Sequence, residues 1–184
     1  NLQTDYIDLL LIHRPDPLMN ADEVAETFYK LKKEGKVLNF GVSNFTIQQF
    51  SLLQSRLDFP LITNQIEFSP YNVSAQHTGL LEFLQEKRVK PTIWSPFAGG
   101  RVFHGEDEMI RRVRDVLNKL KGKYEAEIDQ LLLAWYLKHP VGMLPILGSG
   151  KRERIESAIK ALSINLERED WFRIWEAING VEVP

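Results

Sequence analysis

Short apolar runs alternate with longer amphipathic stretches along most of the chain. Five apolar runs, each bounded by polar or turn-forming residues, predict β-strands near residues 9–12, 39–43, 61–67, 92–95 and 144–146. Elsewhere, apolar residues at three- and four-residue spacing predict helices at residues 21–34, 46–55, 78–86, 107–124, 127–138, 152–161 and 167–179. Because at least one helix follows each strand, we expect a parallel sheet.

The first strand has an abrupt end. Its apolar residues run directly into His13, and Pro15 and Pro17 follow within four positions. Proline has no backbone N–H to donate, so the chain must leave the sheet there. We therefore expect His13 at the carboxyl end of a buried strand, where α/β barrels and open α/β sheets place their chemistry. A core histidine satisfied by a backbone carbonyl is the alternative.

Strand number and chain length together favour an incomplete barrel. A closed (β/α)8 barrel needs eight strands and typically about 250 residues, whereas this chain has 184 residues. The alternatives are an open doubly wound sheet and a barrel that lacks three strands at its front. Since the first residue is Asn1 rather than methionine, we favour the second. The prediction is one α/β domain over residues 1–184, a parallel (β/α) TIM-barrel type with about five of eight strands, whose open edges favour self-association.

Polar residues recur where the predicted strands end, and these ends share one rim of a parallel sheet. They are His13, Ser43, Asn44, Asn64, Gln65, Glu67, Trp94, Ser95, Gly148, Ser149 and Gly150. The amides of Asn44 and Gln65 suit a carboxamide, and the flat face of Trp94 suits a ring. Taken alone, the Ser43–Asn44 pair also fits an ordinary helix cap.

Glycine-containing turns on the same rim suit phosphates. One lies at Gly99 and Gly100, and another precedes the helix that starts near Lys151. With the amides and the tryptophan, they indicate a nicotinamide dinucleotide site, and Lys151 and Arg154 favour the 2′-phosphorylated form. No G-x-G-x-x-G motif occurs, which excludes a Rossmann site.

Charge and composition exclude several other classes of function. The net charge is −2 and the chain has no cysteine, so we predict neither a nucleic-acid partner nor a disulfide framework. We also predict no membrane partner, because no apolar run is long enough to span a bilayer. The basic stretch at residues 111–123 has apolar residues at helical spacing and is interpreted as an amphipathic helix. No histidine spacing suggests a metal site.

Five segments, in this order, resemble the aldo-keto reductases: DYIDLLLIHRPDP, GKVLNFGVSNF, NQIEFSPY, WSPFAGGRVF and LPILGSGKRERIESAI. The resemblance covers essentially the whole chain. It implies an eight-stranded α/β barrel that uses NADPH (NADP+) to reduce small aldehydes and ketones, with a catalytic Asp, Tyr, Lys and His tetrad.

The resemblance also implies a role for each matching residue. His13 corresponds to the tetrad histidine. Ser43, Asn44 and Gln65 correspond to the residues that hold the nicotinamide carboxamide, and Trp94 replaces the usual tyrosine that stacks on the ring. Ser95, Phe97, Gly99 and Gly100 match the segment along the pyrophosphate; Ser149, Gly150, Lys151 and Arg154 match the segment around the 2′-phosphate. The chain departs from the family pattern at Gly148, Ser157 and Ala158.

The other three tetrad residues belong to strands that would precede Asn1. We therefore expect the carboxyl-terminal part of a cytoplasmic NADPH-dependent oxidoreductase, present as a fragment that is inactive alone. A non-catalytic dinucleotide-binding relative, such as a sensor or scaffold, is the alternative. Tyr6 and Tyr71 are not expected to replace the catalytic tyrosine, because neither lies at the strand ends that carry the predicted site.

Overall fold

The computed structural model describes residues 3–182. Five strands alternate with helices along these residues. In chain order they are β1 (Ile7–Ile12), α1 (Ala21–Lys33), β2 (Val37–Ser43), α2 (Ile47–Gln54), β3 (Leu61–Glu67), α3 (Ser74–His77), α4 (Leu80–Glu86), β4 (Thr92–Trp94), α5 (Arg101–His104), α6 (Glu108–Tyr124), α7 (Ile128–Lys138), β5 (Leu144–Pro145), α8 (Arg152–Lys160) and α9 (Arg168–Asn179). Short 3₁₀ turns at Ala98–Gly100 and Ala161–Ser163 precede α5 and follow α8.

The strands form one parallel sheet, as predicted, and their order in the sheet is β1-β2-β3-β4-β5. Its register places Ser43, Gln65, Thr92 and Leu144 side by side in one row. Residues that are paired in register point to the same side of a sheet. The row therefore fixes which side chains share the face opposite the helices.

The two faces of the sheet differ in burial. Val42, Ile66 and Ile93 are 4% exposed or less, and they face the helices. On this side Phe40 stacks on Phe28 of α1, with ring centroids 4.1 Å apart. On the opposite face, Ser43 is buried, Gln65 and Thr92 are half-buried, and Leu144 is 48% exposed. Within residues 3–182, therefore, the hydrophobic core lies between the sheet and its helices.

Strand β1 corrects one prediction. The sequence predicts a buried strand that ends in His13, but residues 9–12 are only half-buried and His13 is exposed. The reason is position, because β1 lies at the edge of the sheet and, within residues 3–182, pairs only with β2.

Two further differences occur in the helices. The predicted helix at residues 78–86 forms as α4, but α3, a helix of one turn before it, is not predicted from the sequence. Gly79, with a φ of 76°, separates the two helices. The Gly99 and Gly100 loop also leads into α5, a helix of one turn that the sequence pattern does not predict.

The basic stretch forms the predicted amphipathic helix. Ile110, Val113, Leu117 and Leu120 of α6 are buried. The basic residues Arg111, Lys119 and Lys123 are exposed. Over residues 3–182, no helix combines the length and the apolar character needed to cross a membrane.

Candidate functional site

A chain of hydrogen bonds connects four of the predicted site residues at the carboxyl ends of β2, β3 and β4. Trp94 Nε1 donates to Asn44 Oδ1 at 3.0 Å, and Asn44 Nδ2 donates to Ser43 Oγ at 3.1 Å. Ser43 Oγ in turn donates to the backbone oxygen of Gln65 at 3.0 Å. Asn44 and Trp94 are 50 positions apart in the sequence, so only the sheet brings them together.

Backbone geometry holds Asn44 at the end of β2. Its φ is 57°, a left-handed conformation that asparagine tolerates better than most residues. Its N–H donates to the backbone oxygen of Gln65 at 2.8 Å. These features turn the chain out of the sheet and place the side chain on the rim.

Asn64 supports this turn from within the core. The sequence places Asn64 among the polar strand-end residues but does not assign it a role in the site. Its side chain is fully buried. Nδ2 donates to the backbone oxygen of Phe45 at 2.8 Å, and Oδ1 accepts from the Phe45 N–H at 3.3 Å. The available sequence signal is the pair of adjacent amides Asn64 and Gln65 in one strand. Neighbouring residues face opposite sides of a sheet, so one of the two amides points toward the helices and needs specific partners there.

Gln65 shares the row of Ser43 and is half-buried. Within residues 3–182, no hydrogen bond involves its side-chain amide. The amide of Asn44 is already held by two neighbours, whereas that of Gln65 keeps its donors and acceptor for a ligand.

The segment after β4 is a tight loop rich in left-handed residues. Ser95, Ala98, Gly99 and Gly100 all have φ between 49° and 92°. The N–H of Gly100 donates to the backbone oxygen of Phe97 at 2.9 Å, and the Phe97 ring lies 5.3 Å from that of Phe103. A Cβ at Gly99 or Gly100 would meet no atom within 4 Å, so this backbone is open to an approaching group.

Tyr136 of α7 supports the start of this loop. Its hydroxyl donates to the backbone oxygen of Pro96 at 2.7 Å in the core. Burial raises the pKa of Tyr136 well above its usual value, so the phenol keeps the proton that it donates.

Tyr71 connects the loop after β3 to the segment that leads into α6. The Arg101 guanidinium lies 3.6 Å from the centroid of its ring, and its hydroxyl donates to Asp107. Burial and the Asp107 hydrogen bond raise the pKa of Tyr71, and the same hydrogen bond lowers the pKa of Asp107. Asp107 Oδ1 also accepts a hydrogen bond from the Ile110 N–H at 3.1 Å and so caps α6. The contacts of Tyr71 with Arg101 and Asp107 therefore join the loop after β3 to the start of α6.

The segment after β5 carries exposed positive charge. Ser149 Oγ accepts from the Lys151 N–H at 3.2 Å, which orders the turn before α8. Lys151 and Arg154 are exposed, as is Gly150, and no side-chain hydrogen bond involves the two cations within residues 3–182. Ser157, by contrast, donates to Asp129 at 2.9 Å and is therefore engaged within the protein.

His13 lies apart from the hydrogen-bonded residues. Ile12 pairs with Val42, so His13 follows β1 at the level of Ser43. No hydrogen bond to its ring occurs within the described part of the chain. Nor do residues 3–182 contain a group of three or more histidine, aspartate or glutamate side chains arranged to hold a metal ion.

The rim thus has the chemistry to hold a nicotinamide dinucleotide. It offers oriented amides and an aromatic face at the ends of β2–β4, an open glycine backbone after β4, and exposed cations after β5. These groups match, in order, a carboxamide, a flat ring and phosphates.

Two proteins of similar sequence are described as an oxidoreductase and a reductase. An uncharacterised oxidoreductase, YcsN of Bacillus subtilis, is 51% identical over 185 residues, covering 100% of this chain and 62% of that protein. A 6-dehydroglucose reductase of Agrobacterium fabrum is 41% identical over 183 residues, covering 100% of this chain and 61% of that protein.

Solved structures agree in fold. A thermostable aldo-keto reductase in complex with the inhibitor epalrestat superposes with a TM-score of 0.83 at 27% identity, covering 96% of this chain and 60% of that one. The chain therefore spans about 60% of the length of the proteins that it matches, and its sheet corresponds to part of their α/β barrel. A sequence model described as "Aldo/keto reductase family" matches residues 1–179, and the chain belongs to this family.

Proposed function

We propose that this chain provides the cofactor-binding part of an NADPH-dependent oxidoreductase that reduces the carbonyl of small aldehydes and ketones to an alcohol. The observation that carries the proposal is the hydrogen-bonded group of Ser43, Asn44 and Trp94 beside Gln65. Polar groups held in fixed orientations around an aromatic face suit the nicotinamide end of a dinucleotide, because little ordering is needed on binding.

Each part of the rim has a separate role in this proposal. Asn44 and Gln65 bind the carboxamide, and Trp94 stacks on the ring. Ser95, Phe97, Gly99 and Gly100 lie along the pyrophosphate, where the open backbone allows a close approach. Ser149, Gly150, Lys151 and Arg154 surround the 2′-phosphate, which the exposed cations would attract.

When bound, the cofactor supplies the hydride. The chain's own contribution is to orient the nicotinamide through its carboxamide and to place His13 beside the substrate. The His13 ring can donate a hydrogen bond to a substrate carbonyl oxygen, since within residues 3–182 no other group engages it. Such a bond polarises the carbonyl and stabilises the charge that develops on its oxygen.

We propose that a tyrosine protonates the product oxygen, and residues 3–182 place no tyrosine hydroxyl on this rim. Tyr6 precedes β1 at the opposite end of the strand, and the other four tyrosine hydroxyls are hydrogen-bonded elsewhere. Those four are Tyr29 to Asp58, Tyr71 to Asp107, Tyr124 to Asp170 and Tyr136 to Pro96. We therefore propose that a tyrosine and its lysine partner outside these residues complete the site, and that residues 3–182 alone are inactive.

The open edges of the sheet support the part of the proposal that concerns the barrel. Strands β1 and β5 both have an unpaired edge within the described residues, and Leu144 leaves half of its surface exposed beside the site. We propose that this chain is the carboxyl-terminal part of a single (β/α)8 domain whose remaining strands cover that face. Self-association through the same edges is expected whenever those strands are absent.

Calorimetric titration with NADPH and with NADH tests cofactor binding. We expect saturable binding of NADPH, with NADH weaker because it has no 2′-phosphate. Arg154→Ala should raise the Kd for NADPH and leave the Kd for NADH unchanged. Arg168→Ala is the matched control, since Arg168 is an exposed arginine on a different helix, α9.

A well-folded protein that shows no saturable NADPH binding would refute the proposal. Equal effects of Arg154→Ala on both dinucleotides would refute the assignment of the 2′-phosphate site alone. Consumption of NADPH in the presence of small aldehydes and ketones then separates two functions. Turnover by a protein that has all eight barrel strands supports the reductase. Binding without turnover favours a sensor or scaffold. The absence of a rim tyrosine in residues 3–182 is compatible with this second function.

A further inference from the structure

The contact between Trp94 and Asn44 assigns to Trp94 a role beyond stacking. We propose that Trp94 is a positioning residue, whose indole N–H holds the Asn44 amide in the one orientation that can pair with the nicotinamide carboxamide. The inference rests on the proposed function, since it concerns the same cofactor site.

Hydrogen-bond direction fixes the orientation of the Asn44 amide. A side-chain amide can turn by 180° and so exchange its oxygen and nitrogen. The indole of Trp94 is only a donor, so the atom 3.0 Å from its Nε1 must be the Asn44 oxygen. On the other side, the Ser43 hydroxyl donates its proton to the backbone oxygen of Gln65 and can only accept from the Asn44 nitrogen. Both neighbours therefore require the same orientation.

The amide of Asn44 keeps enough capacity to bind a ligand in this orientation. An amide oxygen has two lone pairs and an amide nitrogen has two hydrogens, and Trp94 and Ser43 use one of each. One acceptor and one donor remain, which is what a carboxamide needs. Without the indole N–H, only Ser43 would restrain the amide, and cofactor binding would have to supply the missing order.

A double-mutant cycle separates this role from stacking. Trp94→Phe keeps a flat ring but removes the N–H. Asn44→Gly removes the amide and suits the φ of 57° at this position. We expect Trp94→Phe to raise the Kd for NADPH by about 3- to 10-fold, the range for loss of one hydrogen bond. In the Asn44→Gly background, the same change should have little further effect.

Two controls and one direct measurement accompany the double-mutant cycle. Trp175→Phe removes a half-buried indole whose N–H makes no hydrogen bond within residues 3–182, and it should leave the Kd unchanged. The ligand 2′,5′-ADP has no nicotinamide, so all variants should bind it as the wild type does. In the cofactor-free protein, the Trp94 indole N–H should exchange with solvent more slowly in the wild type than in Asn44→Gly.

The outcomes are distinguishable. If the effects of Trp94→Phe and Asn44→Gly on the Kd multiply, Trp94 only stacks, and the inference is wrong while the proposed function stands. Equal exchange of the indole N–H in the wild type and in Asn44→Gly overturns it as well. If the wild type does not bind NADPH, the proposed function falls, and this inference falls with it.

Discussion

Replacing Asn64 by leucine is expected to destabilise both the sheet and the turn that carries Asn44. Leucine has a similar size and shape but no polar atoms. The variant would therefore leave the N–H and the backbone oxygen of Phe45 without the partners that Asn64 provides at 3.3 Å and 2.8 Å. Because Asn64 is fully buried, water cannot easily replace these bonds.

The magnitude follows from the two lost hydrogen bonds. One buried polar group left unpaired costs about 1–3 kcal/mol. The bond from the Phe45 N–H is long, and leucine gains some apolar burial, so we place the loss in the free energy of unfolding at about 2–4 kcal/mol. For a domain of this size, 1 kcal/mol lowers the Tm by about 2–4 °C. The expected fall in Tm is therefore about 4–16 °C.

Urea unfolding followed by far-ultraviolet circular dichroism measures this loss. Asn118→Leu is the matched control, because Asn118 is exposed on α6 and a surface change of this kind is usually neutral to within about 0.5 kcal/mol. Asn64→Leu should also raise the Kd for NADPH, since the turn at Asn44 loosens. An unfolding free energy within about 1 kcal/mol of the wild type, at an unchanged m value, would show that Asn64 does not support the turn.

Three other changes are expected to alter stability, and urea unfolding checks each. Gly41→Ala should cost about 1–3 kcal/mol, because its Cβ would lie 2.8 Å from the backbone oxygen of Thr63. Gly122→Ala, within α6 and in open space, should instead stabilise by about 0.5–1 kcal/mol. Asp170→Asn should cost about 1–3 kcal/mol at neutral pH. Burial raises the pKa of the Asp170 carboxyl, but hydrogen bonds from Lys123 and a neighbouring tyrosine outweigh this and lower it. The Asp170 contribution should therefore be present above about pH 4 and disappear as the pH falls through the lowered pKa, so a constant difference between wild type and variant at acid pH would contradict it.

The alternation of apolar and polar residues predicts the sheet and much of the rim. It identifies all five strands, and their endings place Ser43, Asn44 and Trp94 on one side before any contact is known. This works because strand endings are local signals, set by prolines, glycines and cap residues.

Features that depend on distant neighbours are not predictable in this way. The half-exposure of β1 follows from its place at the sheet edge, whereas its own residues read as a buried strand. The hydrogen bond from Tyr136 to Pro96 joins residues 40 positions apart, and no local sequence pattern predicts it. Gly79 ends one helix and begins another only because its φ is positive, which the sequence permits but does not require.

Core packing and site placement share one physical cause in this sheet. Val42, Ile66 and Ile93 are buried against the helices. Neighbouring residues of a strand face opposite sides of the sheet, so the residues next to these three face away from the helices. Ser43, Gln65 and Trp94 occupy those positions. A slip of β3 by one residue would turn Gln65 into the core and Ile66 onto the rim, at the cost of burying an amide and exposing an aliphatic side chain. The apolar residues that stabilise the fold therefore also set the register on which the amides and the indole meet.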